Sequence, residues 1–296
     1  MALAIGFKTA PIRVTWTELA ATWKAAGDQS CFDSAWLFDH FYPNDGEGSC
    51  LEGFVTLTAL APLVPDARIG HLVLANPYRH PGLVAKMAAA LDQISGGRYV
   101  LGLGAGWHQV ESDAFGIQLG PVGQRLRDLR AAIRVIRALN SPEAGSWANG
   151  AAGGATLTEP PYALRGARND PPPLQGPGLP IWIGAQGEQV GLRIAAEESH
   201  GWNFSGIGGL EDFTRKRAIL HGFAERAGRD PAEIVVSAQL KADPADPSSA
   251  VRLCSAFIRA GCEHVVLYVD PRHGPRGIDV LARDVVRPLR DEFGDA

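Results

Sequence analysis

Along 296 residues the hydrophobic pattern keeps switching between short β-branched or aromatic runs and longer stretches with helical spacing. Few architectures accommodate that alternation. Strand-like runs fall at 3–7, 34–38 ("SAWLF"), 68–75 ("RIGHLVLA"), 99–106 ("YVLGLGAG"), 180–184 ("PIWIG"), 201–204 ("GWNF"), 233–242 ("EIVVSAQLKA") and 264–270 ("HVVLYVD"). Helical spacing is read at 15–26, 81–97, 123–139, 188–198, 210–228, 248–260 and 278–292. Thr15 with Glu18 three residues on has the form of a capping box, Pro81 suits a first helical turn, and Gly96 and Gly97 suit a helix end. Eight parallel strands alternating with helices in a chain of this length predict an α/β fold, a TIM (β/α)8 barrel, as one domain over 1–296.

The periodicity lapses once. From 140 to 179 the chain is dense in glycine and proline ("GSWANGAAGGA", "DPPPLQGPGLP"). We read an irregular insertion between the fourth and fifth strands, expected over the barrel mouth, where variable loops set substrate specificity. In the preceding helix, Arg125, Arg127, Arg130, Arg134 and Arg137 read as a solvated face.

A net charge of −4 offers no basis for a nucleic-acid partner or an anionic membrane, and no apolar run reaches the length of a membrane span. Four cysteines without metal or redox spacing imply reduced thiols in the cytoplasm.

In such a barrel the chemistry sits at the C-terminal strand ends. Those ends deliver Asp39 and His40, then Leu74, then Gly104, Ala105, Gly106 and Trp107, then Gly184, Ala185, Gln186 and Gly187, then Trp202 and Asn203. "GLGAGW" is not a dinucleotide fingerprint, because Trp107 stands where G-x-G-x-x-G requires glycine. Its glycines instead suggest a floor on which a planar ring can approach the backbone. Gly184–Gly187 before a helix suggests a phosphate cradle. His40, directly after a strand and beside a carboxylate, is the candidate proton-transfer group. Asp39, His40 and Glu111 match no zinc spacing, so no metal is expected. No lysine is read at a strand end, which disfavours Schiff-base chemistry.

Four stretches, "FDSAWLFDHFYP" (32–43), "RIGHLVLANPYRHPGLVAKMAAALDQISGGRYVLGLGAGWHQVESDAFGI" (68–117), "PIWIGAQGE" (180–188) and "GWN" (201–203), resemble the bacterial luciferase-like monooxygenase superfamily, and within it the coenzyme F420-dependent oxidoreductases. The resemblance implies that Asp39 and His40 lie at the reactive ring of a deazaflavin. It implies that Leu72, Val73 and Leu74 form a bulge with a non-prolyl cis peptide behind the ring, and that Gly184–Gly187 bind phosphate. The turn departs from the family pattern by lacking its following basic pair, and Trp107 replaces a glutamate catalytic in some sugar-phosphate-oxidising relatives.

The leading expectation is hydride transfer between F420 and a small organic substrate. The alternatives are an FMNH2-dependent monooxygenase using O2, or a flavin-binding barrel without turnover. The resemblance also implies a homodimer.

Overall fold

Parallel strands covered on both faces must bury nearly every side chain, and the runs identified above do so. The computed structural model describes residues 3–43, 45–144 and 154–294. Its strands are β1 (Ala4–Thr9), β2 (Ser34–Leu37), β3 (Arg68–His71), a two-residue continuation β4 (Leu74–Ala75), β5 (Tyr99–Gly104), an outlying hairpin β6 (Ala155–Glu159) and β7 (Tyr162–Ala167), then β8 (Ile181–Gly184), β9 (Gly201–Phe204), β10 (Val235–Lys241) and β11 (His264–Val269). All pairings outside the hairpin and one isolated bridge are parallel, in the order β3-β2-β1-β11-β10-β9-β8-β5. Pairing of Ile69 with Tyr99 and of Gly70 with Val100 joins β3 to β5, which closes the eight-stranded barrel.

The helices are α1 (Trp16–Gln29), α2 (Gly53–Leu60), α3 (Pro81–Ser95), α4 (Gln109–Ala114), α5 (Val122–Asn140), α6 (Gly191–Glu198), α7 (Gly209–Arg226), α8 (Pro247–Arg259), α9 (Gly274–Leu281) and, after a π turn, α10 (Arg287–Phe293). None of them is long and apolar enough to cross a membrane. The capping box forms: Glu18 N–H donates to Thr15 Oγ1 at 3.3 Å, and Thr15 N–H to Glu18 Oε2 at 2.8 Å. Gly96 closes α3 at φ 69°.

The core has two shells. Between barrel and helices lie residues such as Leu19, Trp23, Phe204 and Phe213. Inside the barrel, Trp36 stacks on Trp182 with centroids 5.0 Å apart, packed with Leu72, Val100 and Val266.

Several features differ from the sequence reading. α2 was not anticipated: its Val and Thr residues disguise a helix, which Glu52 starts by accepting from Val55 N–H at 2.7 Å. The insertion is not wholly irregular, because 155–167 form an antiparallel hairpin around a cis Pro160–Pro161 bond. Only Leu164 of that hairpin is buried, so no strong alternation marked it; the glycine-rich 145–153 lie outside the described residues. The arginine row of α5 is no solvated face throughout, since Arg137 pairs with Glu198 at 2.7 Å and Arg130 with Glu197, tying α5 to α6.

Between β3 and β4 the chain leaves the sheet for two residues, and the Leu72–Val73 peptide is cis. β5 makes room for this break. A Cβ on Gly102 would stand 1.8 Å from the His71 carbonyl oxygen, and one on Gly104 would stand 2.6 Å from Val73 Cγ2. Substituting Gly102→Ala therefore forces backbone apart and is expected to cost about 3 kcal/mol. Gly178→Ala, whose Cβ meets nothing within 4 Å, serves as the neutral control in urea unfolding.

Candidate functional site

All eight barrel strands send residues to a cavity of about 500 Å3 at their C-terminal ends, within the range of small-molecule sites. Of the residues singled out in the sequence, Asp39, His40, Leu72, Val73, Gly104, Ala105, Gly106, Trp107, Gly184, Ala185, Gln186, Gly187 and Asn203 line it. Leu74 and Trp202 do not. Strand side chains alternate in direction, so Asn203 faces inward while Trp202 faces the helices, stacked on Phe213 at 5.9 Å. Leu74 likewise joins the outer core.

Two of the glycines that line the cavity also contact the bulge. Gly104 and Gly184 flank the Val73 side chain, at 2.6 and 3.0 Å from a built Cβ, so they seat the bulge while Val73 itself lines the cavity. None of the described residues of the insertion lines the cavity. Its hairpin lies along α5, and the Tyr162 hydroxyl accepts from Asn76 Nδ2 at 3.1 Å.

His40 stands at the cavity edge, with Trp107 edge-on at 5.5 Å. Its Nδ1 lies 2.6 Å from Glu111 Oε1. A carboxylate only accepts, so Nδ1 carries the proton. Nε2 then has no hydrogen-bond partner among the described residues. Glu111 is fully buried and also accepts from the amide of Phe41 at 2.8 Å and the hydroxyl of Tyr78. Burial alone would raise its carboxyl pKa, but the Tyr78, Phe41 and His40 donors together hold it below the ordinary carboxylate range.

Asp39 has little freedom to react. It takes a bidentate pair from Arg79 at 2.7 and 2.9 Å and the Ala75 amide at 3.0 Å. Arg79 also reaches Glu52. With both oxygens engaged, Asp39 anchors the backbone just beyond the bulge, which is a positioning role.

A lysine does stand at a strand end, contrary to the sequence reading. Lys8, near the end of β1, is 7% exposed. It donates to the Leu72 carbonyl at 3.0 Å and to the Gln239 side chain. Gln239 donates to Asn203, whose Nδ2 donates to Ser237 Oγ at 2.9 Å, so a polar chain crosses the barrel. Burial pushes the Lys8 amine down to about 7. The first strand was read as ending at Phe7; inward alternation one residue further was the signal available.

At the Gly184–Gly187 turn the missing basic pair has neighbours on α7. Lys216 donates to Gln186 Oε1 at 3.2 Å while paired with Asp212 at 2.6 Å, and Arg215 pairs with Glu188 at 2.7 Å. A second hollow of about 370 Å3 holds Arg13, Asp270 and Arg272, but Arg13 pairs with Asp45 and Arg272 with Asp270.

The model of the family described as luciferase-like monooxygenase matches residues 9–277. The 5,10-methylenetetrahydromethanopterin reductase of Methanolobus tindarius is 32% identical over 252 residues, 83% of this chain and 68% of that protein. Two solved structures share the fold. The coenzyme F420-dependent tetrahydromethanopterin reductase of Methanopyrus kandleri has a TM-score of 0.78 at 20% identity, covering 97% of this chain and 99% of that one. An F420-dependent secondary alcohol dehydrogenase in complex with an F420-acetone adduct has a TM-score of 0.81 at 17% identity, covering 96% and 98%.

The lowered Lys8 amine has a consequence for stability. Below pH 7 folded and unfolded states both carry its charge, and the fold bears the full cost of burying it. Between about 7 and 10.5 the unfolded chain holds a proton that the folded one has released, so stability rises with pH across that window. The unfolding free energy of Lys8→Met relative to wild type should accordingly decline from pH 7 to 10, by on the order of a few kcal/mol. Denaturant titrations at each pH check this, and a pH-independent difference contradicts it.

Proposed function

Because the chain belongs to the luciferase-like monooxygenase family, we propose that it is an oxidoreductase moving a hydride between coenzyme F420 and a small organic substrate. The observation that carries this reading is the Glu111-held His40 at the edge of a cavity floored by the Leu72–Val73 bulge. Two structural neighbours that are F420-dependent enzymes support the choice of cofactor.

The residues present fit a flat heterocycle. Leu72 and Val73 offer an apolar surface, Gly106 and Gly187 line the walls, and a built Cβ on Gly187 meets nothing within 4 Å. Gly184–Gly187, ahead of α6, would hold a phosphate by backbone N–H groups, with Lys216 near Gln186. Bound there, the deazaflavin supplies a two-electron hydride carrier at its C5.

The protein's part is orientation and proton management. Glu111 fixes the His40 tautomer and leaves Nε2 facing the cavity edge, so Nε2 can receive or return the proton that accompanies hydride transfer. Asp39, locked by Arg79, keeps the bulge and the His40 backbone in register. Trp107, exposed at the rim, packs edge-on against His40.

The family description also favours a second reading, reduced FMN with O2. Anoxic titration with F420 and, separately, with reduced FMN, followed by quenching of the seven tryptophans, separates the two. Micromolar or tighter binding of F420 alone is expected, and preference for reduced FMN overturns the proposal.

His40→Ala should lower kcat by about 100-fold with cofactor affinity retained. Glu111→Gln, which keeps the shape and removes the charge, should lower kcat and shift its pH profile. Unchanged rates in both variants would refute the proton role.

A further inference from the structure

Lys8 is the one described lysine inside the barrel, and nothing so far accounts for its charge. An ammonium has three donors. Two are used, on the Leu72 carbonyl at 3.0 Å and on Gln239. Both acceptors are neutral. No carboxylate among the described residues lies within ion-pair distance of Nζ, whose other close neighbours are the rings of Phe38 at 5.4 Å and Tyr268 at 5.2 Å. The third donor is left for the cavity that Lys8 lines.

A buried cation without a counter-charge is costly, and the two ring faces offset only part of that cost. A methionine would fill the same volume without it. The arrangement resembles half of an ion pair whose other half arrives with a ligand. The cavity walls around it, Phe38 and Tyr268, are aromatic and suit an apolar body.

We infer that the substrate is a small organic acid with an apolar body, and that Lys8 recognises its carboxylate from the barrel interior. An anion at this point keeps the amine protonated, reversing the effect of burial. Gln239, held by Asn203, fixes the ammonium so that its free donor stays aimed at the ligand. This inference names the substrate class of the cavity and rests on reading it as the oxidoreductase site.

The test uses benzoate and its neutral counterpart benzamide as probes, titrated by calorimetry at pH 6.5 into wild type, Lys8→Met and Lys8→Arg. F420 affinity and circular dichroism are measured on the same samples. Wild type should prefer benzoate by about tenfold or more. Lys8→Arg should keep that preference, and Lys8→Met should bind the two probes equally while retaining its fold. Absence of benzoate binding, equal binding by wild type, or a surviving preference in Lys8→Met overturns the inference. So does a Lys8→Met variant that loses F420 affinity with its benzoate preference intact, since Lys8 would then serve the cofactor. Failure of wild type to bind F420 while still preferring benzoate strikes the cofactor reading alone.

Discussion

The break in the third barrel strand at Leu72 and Val73 is the constraint on which the rest of the site depends. The hydrogen-bonded ladder holds a parallel barrel closed, yet here two residues leave it. Their backbone groups must still find partners. Leu72 N–H donates to the Leu37 carbonyl at 2.7 Å, and the Leu72 carbonyl accepts from Lys8. Asp39 takes the Ala75 amide where the ladder resumes. Gly102 admits the His71 carbonyl. Three strands, β1, β2 and β5, thus cooperate to hold one irregularity, and the surface it presents is the cavity floor.

Charge is arranged around that floor in two contrasting ways. Asp39 and Glu52 share the one guanidinium of Arg79, while Glu111 gathers donors from Tyr78, Phe41 and His40. Such clusters add little net stability, because desolvation offsets much of the attraction, but loss of one partner strands the others. They hold geometry. Lys8 is different: its partners are neutral, so its charge remains available. A site that spends most of its ionisable groups on rigidity leaves His40 Nε2 and the Lys8 ammonium to meet a ligand.

How much was legible follows from the range of each signal. Capping at Thr15 and Gly96 and the strand runs are local, and local patterns were readable. α2 escaped because its apolar residues lie on more than one face, with Phe54 and Leu57 buried and Val55 exposed. Trp202 was misplaced because the strand end was treated as a unit, when only its alternate residues face inward. Lys8 was missed because the first strand was ended one residue too soon.

The sequence by itself determined the barrel and the strand ends that would carry the site, because hydrophobic period and turn chemistry act over a few residues. Only the tertiary structure decided which of those residues act. Glu111 meets His40 across 71 positions, Arg79 meets Asp39 across 40, and Lys8 meets Gln239 across 231. Tautomer, pairing and pKa are set by what stands within a few ångströms in a medium of low polarity. Closure of the barrel, and not the spacing of residues along the chain, supplies those neighbours.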